Sequence, residues 1–205
     1  MQNIHYLKGA LKTYNPQFDH WDAPVIRETK NQTIFGRPTR GFGDAPFKYA
    51  GKYMKPEPWT NHRCIPSIKA NCEEIASTIY DRKIEFTFCL CGLYKDDGKG
   101  IPYHSDTVPT LEDVVMSISF GGPRVFAWRT YQNPIKKHTN TSDLDTGDVG
   151  KGYFKENFLE KETFYILEHG DVLLFDGASQ MKSTHSVPDL PLAEERINLT
   201  FRTGL

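Results

Sequence analysis

Beyond residue 83 the chain reads as one short strand after another with no helix between them, and this constrains its fold more than any other feature. Residues 85–94 alternate, which places Phe86, Phe88 and Leu90 on one expected face. Segments 114–120 and 125–129 flank a Gly121-Gly122-Pro123 turn. Segments 163–167, 171–175 and 196–202 follow, separated by His169-Gly170 and Asp176-Gly177. Strands in such a series bury their apolar faces only by stacking two sheets or closing one, so a sandwich or barrel is expected. The best helix is 66–82, where Pro66 and Ser67 mark a start and Ile68, Cys72, Ile75 and Ile79 recur at helical spacing. The expected class is therefore mainly β with a few helices (α+β).

A chain of 205 residues fits one domain. Residues 1–30 read as an N-terminal extension that could wrap the surface, 31–62 as loops and short strands, and 83–205 as the core. The stretch 130–161 has few apolar anchors and reads as an insertion. Net charge is -1, but residues 27–55 hold seven basic and two acidic side chains, a local excess of +5. Such an excess suits a solvated loop or a contact with phosphate. No apolar run reaches the roughly 18 residues of a membrane helix, and the start lacks the apolar stretch of a signal peptide. Cys64, Cys72, Cys89 and Cys91 form no Cys-x-x-Cys pair, which fits reduced thiols in an intracellular protein. The expected state is a monomer with no membrane partner.

Two short patterns carry chemistry. His104-Ser105-Asp106 is a His-x-Asp; on a strand both side chains would project to one side. His185, 79 residues later, is a third candidate ligand. Two imidazoles and one carboxylate on one face of an octahedron leave three positions open, the arrangement used by non-haem Fe(II) oxygenases. The second pattern is Arg196-Ile197-Asn198-Leu199-Thr200-Phe201-Arg202, which puts two guanidinium groups, an amide and a hydroxyl on one face of a strand. Arginines side by side repel unless an anion lies between them or water reaches them. The pattern fits either a dicarboxylate pocket or the outer face of an edge strand.

The ordered set His104-x-Asp106, His185 and Arg196-x-Asn198-x-Thr200-x-Arg202 resembles the AlkB family of oxidative nucleic-acid demethylases. Supporting matches are Ile118-Ser119-Phe120-Gly121-Gly122, the segment from Leu167 to Val172, and Tyr94-Lys95-Asp96-Asp97-Gly98. The resemblance implies a double-stranded β-helix (jelly-roll) core under a nucleotide-recognition lid at 31–62. It implies Fe(II) on His104, Asp106 and His185, with 2-oxoglutarate and O2 as co-substrates. Arg196 would hold the distal carboxylate and Arg202 would lie near the metal-proximal one, with Tyr94, Ser179, Asn198 and Thr200 lining the same pocket. His169 would belong to a turn. The implied reaction removes N-methyl groups from DNA or RNA bases as formaldehyde, with 2-oxoglutarate converted to succinate and CO2.

For the substrate, the resemblance points to Phe35 and Arg37 in a probing segment, with Arg40 as a further substrate contact. Tyr49 and His104 would be the flat walls that clamp a flipped base. Two departures stand out. Val108 occupies the place where many relatives carry an acid that meets a cationic base, leaving Glu112 or Asp113 as substitutes. Gly92 stands where an asparagine is usual, two residues before the pocket tyrosine. The same chemistry on another modified base, a protein side chain or a small molecule is the alternative.

Overall fold

The computed structural model describes residues 4–24, 26–28, 33–49, 52–106, 110–134 and 158–203, with backbone alone for 26–28, 33–35, 47–49 and 52–53. In chain order the described strands are β1 (Ile4–Leu7), β2 (Ile26–Glu28), β3 (Thr33–Phe35), β4 (Thr39–Gly43), β5 (Phe47–Tyr49) and β6 (Lys52–Met54). Helix α1 (Ile65–Tyr80) precedes β7 (Phe88–Tyr94), β8 (Ile101–His104), β9 (Val114–Gly121) and β10 (Arg124–Tyr131). Then come β11 (Leu159–Leu167), β12 (Val172–Asp176), the short helix α2 (Gly177–Gln180), β13 (Ser183–Val187) and β14 (Arg196–Arg202).

These strands form a major sheet in the order β1-β12-β9-β14-β7-β4 and a minor sheet in the order β11-β10-β13-β8, with β2-β3 and β5-β6 as separate hairpins. Every described pairing between strands of the two larger sheets is antiparallel. The result is the expected jelly roll. The major sheet has two buried faces. On one, Met116, Ile118, Leu174, Leu199 and Phe201 pack against Ile65, Ile68, Cys72 and Ala76 of α1. On the other, Val115, Leu173 and Phe175 meet Phe126, Trp128 and Val187 of the minor sheet. A strand's side chains alternate between faces. Hence β9 and β12 feed both layers, and β14 sends Leu199 and Phe201 to the helix and its polar residues inward.

Sequence and structure differ at several edges. The helix runs 65–80 and ends at Asp81, in the left-handed conformation (φ 50°). Phe86 does not share a face with Phe88 and Leu90. It lies before the strand and packs in the helix layer against Phe201, while Phe88 and Leu90 form a separate cluster with Met54. The major sheet is wider than segment 83–205, because β1 and β4 close its two edges. Residues 130–131 and 159–161 belong to paired strands, so the expected insertion is narrower at both ends; positions 135–157 lie outside the described residues.

The N-terminal segment is tied down by polar contacts. Asp171 accepts hydrogen bonds from Tyr6 Oη (2.7 Å) and from the amide of Gly9 (2.6 Å). Gly170, at φ +82°, brings its Cα against the backbone of Lys12, where a Cβ would come within 2.3 Å of it. His169 lies in this turn, bonded to the Gly121 amide and the Tyr14 carbonyl, far from any ligand role.

Candidate metal centre and anion pocket

His104 and His185 sit opposite each other in the pairing of β8 with β13. Cross-strand neighbours have Cβ atoms about 5 Å apart, so the two imidazoles meet by register alone; their ring centroids are 4.3 Å apart. Asp106 arrives differently. Strand β8 stops at His104, so the carboxylate is not delivered by strand alternation as expected. The segment after the strand is pinned by hydrogen bonds. Ser105 Oγ donates to the carbonyls of Gln180 (3.2 Å) and Ser183 (3.0 Å), and the Asp106 amide donates to Gln180 Oε1 at 2.7 Å. Gln180 is 1 % exposed.

The outcome is a compact donor set. One ligand atom from each of His104, Asp106 and His185 lies within 4.8 Å of the others. Asp106 Oδ1 is 3.9 Å from His104 Nε2, and Oδ2 is 3.7 Å from His185 Nε2. His104 Nδ1 lies 2.8 Å from the Pro102 carbonyl. An N–H there leaves Nε2 as the lone pair facing the cluster, the usual way a second contact orients a metal-binding imidazole. His185 is wedged among Phe126, Trp128 and Phe175, with the Trp128 ring nearly parallel to it at 5.9 Å.

Beside the donor set is a cavity of about 90 Å³ between the sheets. Its walls include His104, Asp106 and His185 together with Tyr94, Arg196, Asn198, Thr200 and Arg202. Arg196 is 1 % exposed. Its Nε and Nη2 donate to Ser119 Oγ (3.0 and 2.8 Å), and Nη2 also reaches Asn198 Oδ1 (2.6 Å). Asn198 Nδ2 passes the chain on to Thr200 Oγ1 at 2.7 Å, and Ser117 Oγ donates to Asn198 Oδ1 at 3.0 Å. Burial, the largest influence, pushes the Arg196 guanidinium down to about 10. Its Nη1 is buried with no hydrogen-bond partner among the described residues. A buried, half-satisfied cation is costly alone. A carboxylate oxygen at that position would satisfy both the charge and the vacant donor. Arg202 Nη2 donates to Asp106 Oδ1 at 2.7 Å, so it touches the metal side of the cavity.

The remaining predicted site residues are distributed unevenly. Ser179 is not a cavity wall; its amide (2.8 Å) and hydroxyl (2.6 Å) both reach Asp176 Oδ1, capping α2. Arg40 does not face a ligand either. It is buried and held by Glu57 (2.9 Å) and Asp19 (2.7 Å), an internal clamp of the N-terminal segment onto β4. Arg37 lines the cavity itself rather than projecting from a lid. The side chains of Phe35 and Tyr49, and all of Val108, lie outside the described residues. Asp113 is engaged structurally, accepting from the Thr110 amide (2.7 Å) and Thr203 Oγ1 (3.0 Å). Ser117 and Gln180 carry no sequence expectation, and Ser119 enters only as part of a matched segment, without a role. The two serines had a signal: they interrupt the apolar run of β9 at alternate positions, as inward-facing polar residues must.

A facial donor set next to an arginine with a vacant buried donor fits Fe(II) and a 2-oxo diacid. The comparisons agree. Residues 4–202 match the model of the 2OG-Fe(II) oxygenase superfamily. The chain belongs to that superfamily. Its relatives place it among the AlkB homologues. It is 32% identical over 171 residues to "Alpha-ketoglutarate-dependent dioxygenase alkB homolog 3" of Bos taurus, covering 82% of this chain and 51% of that protein. It is 30% identical over 195 residues to "DNA oxidative demethylase ALKBH2" of Arabidopsis thaliana, covering 90% and 58%. The chain thus spans little more than half the length of these relatives. The solved structure of OsALKBH1 shares its fold, with a TM-score of 0.57 at 16% identity over 99% of both chains. Among the described residues no helix is long and apolar enough to cross a membrane.

Proposed function

We propose that the protein is an Fe(II)- and 2-oxoglutarate-dependent dioxygenase that removes N-alkyl groups from nucleic-acid bases. The observation that carries the enzymatic part is the placement of the His104-Asp106-His185 donor set in one cavity with Arg196 and its vacant Nη1. His104, Asp106 and His185 would hold the metal, which when bound supplies oxygen activation, with 2-oxoglutarate oxidised to succinate and CO2. Arg196 fixes the diacid by its distal carboxylate, and Ser119 and Asn198 aim the guanidinium. Phe126, Phe175 and Val187 keep water from the cavity wall. Positioning of the parts, more than acid–base chemistry, is the protein's contribution.

The substrate class rests on the kinship with proteins named as oxidative demethylases and on the basic excess in residues 27–55. In this reading the parts of 31–62 outside β4 act as the lid, and Tyr49 and His104 sandwich an extruded base. Asp113 is engaged by Thr110 and Thr203, so of the two substitute acids the exposed Glu112 is the one left to meet a positive ring.

The test is a panel of oligonucleotides with cationic and neutral N-methyl lesions, single-stranded and duplex, in DNA and RNA. Iron and 2-oxoglutarate are supplied under air, and products are read by mass spectrometry. Formaldehyde release matched by succinate supports the proposal. Succinate formation that no oligonucleotide stimulates, with no base altered, would leave the oxygenase and remove the nucleic acid. Tyr49→Ala should weaken oligonucleotide binding more than it slows succinate formation without substrate.

A further inference from the structure

Arg37 and Arg40 stand three residues apart, and the structure treats them in opposite ways. Arg40 is neutralised by two carboxylates. Arg37 has no carboxylate partner among the described residues; its Nη2 donates to the Gly100 carbonyl at 2.9 Å. Its stem runs over Gly92, where an added Cβ would come within 3.1 Å of Arg37 Cδ. The missing side chain of β7 is thus the space that Arg37 fills. Its guanidinium carbon lies 3.5 Å from the centre of the Tyr94 ring, and that of Arg196 lies 4.6 Å from the same centre. Two cations face one ring in one cavity, with no acid between them among the described residues.

We propose that Arg37 is a third guanidinium of the co-substrate site, binding the distal carboxylate of the 2-oxo diacid together with Arg196. This rests on the oxygenase reading above and adds a residue to it. Two guanidinium groups over one ring repel unless an anion lies between them or water reaches them, and a guanidinium with unused N–H groups offers a carboxylate a bidentate contact. The cation–π contact with Tyr94 holds the group in place without neutralising it. A nucleic-acid contact is less favoured, because the guanidinium lines the same cavity as Arg196 and Asn198.

The test is calorimetric titration of the full chain, loaded with Mn(II) under argon, with 2-oxoglutarate and with 2-oxobutyrate, which lacks the distal carboxylate. Arg37→Met keeps the stem over Gly92 and removes the charge. It should weaken 2-oxoglutarate about tenfold or more and leave the weak binding of 2-oxobutyrate unchanged, with Arg37→Lys falling between. Gly92→Ala should lower 2-oxoglutarate affinity by displacing Arg37, and should add little in an Arg37→Ala background. Equal losses for both acids would overturn the proposal, as would unchanged 2-oxoglutarate affinity accompanied by a loss of oligonucleotide binding. Absence of 2-oxoglutarate binding to the unaltered protein would instead sink the oxygenase reading on which it stands.

Discussion

Arg202 holds the Asp106 oxygen that faces His104, donating from Nη2 to Oδ1 at 2.7 Å, while Oδ2 faces His185 at 3.7 Å. The last arginine of β14 therefore orients a candidate metal ligand across the gap between the sheets. Outer contacts of this kind usually contribute 10- to 100-fold in metal affinity, as an order of magnitude. Arg202→Met should weaken Mn(II) or Fe(II) binding by about that factor. Trp128, nearly parallel to His185, offers the readout: paramagnetic metal should quench its fluorescence, at higher metal concentration in the variant. Equal quenching curves would contradict the role.

Gln180→Leu should act on the same quantity from the other side. It removes the acceptor for the Asp106 amide, so the segment after β8 loses one of its pins. Metal affinity should fall about tenfold, whereas Gln180→Glu, which retains the acceptor oxygen, should fall less. An identical loss in both variants would point to general damage instead of a lost hydrogen bond.

His185→Ala should abolish succinate formation. It also removes a ring packed against Phe126, Trp128 and Phe175, and truncating a buried ring costs roughly 3–5 kcal/mol. The melting temperature should drop while the far-ultraviolet spectrum of the folded chain stays β-rich. Wild-type turnover in this variant would remove His185 from the donor set.

Arg196 is lowered by burial to about 10 and stays protonated near neutrality. The sign follows from linkage. A base whose folded value lies below its unfolded value binds its proton less tightly when folded, so the unliganded protein gains stability as pH rises between the two. Below that window the buried charge is a standing cost that a bound carboxylate relieves. Arg196→Met should leave the ligand-free melting temperature equal or higher. It should also abolish the stabilisation by 2-oxoglutarate, which for the wild type is about 2.7 kcal/mol at a hundredfold excess over Kd. A preserved ligand-induced shift would exclude the distal-carboxylate role.

Much of this arrangement was legible in residue order. Strand β14 was expected at 196–202 and is found there, because its apolar and polar residues alternate without a break. Strand β13 is not legible in residue order. Its sequence, Ser183 to Val187, is mostly polar yet wholly buried, so it carries no hydrophobic period. Strand β7 is buried on both faces, which erases alternation and hid the position of Phe86. The donor set was found as residue types, but the route of Asp106 was not, since it depends on Gln180, 74 residues away. Arg37 and Arg40 look alike on paper. Only the distant carboxylates of Asp19 and Glu57 separate a structural clamp from a cavity wall.

The two halves of the centre hang from different sheets. His104 and His185 belong to the minor one, and Arg196 and Arg202 to the major one. A diacid chelating the metal while held by Arg196 would therefore be a rivet through the sandwich, and its fit would gauge the spacing and slip of the layers. Variants far from the cavity that let the layers creep, at the packing of Trp128 on Phe175 for example, should lose co-substrate before they lose their strands.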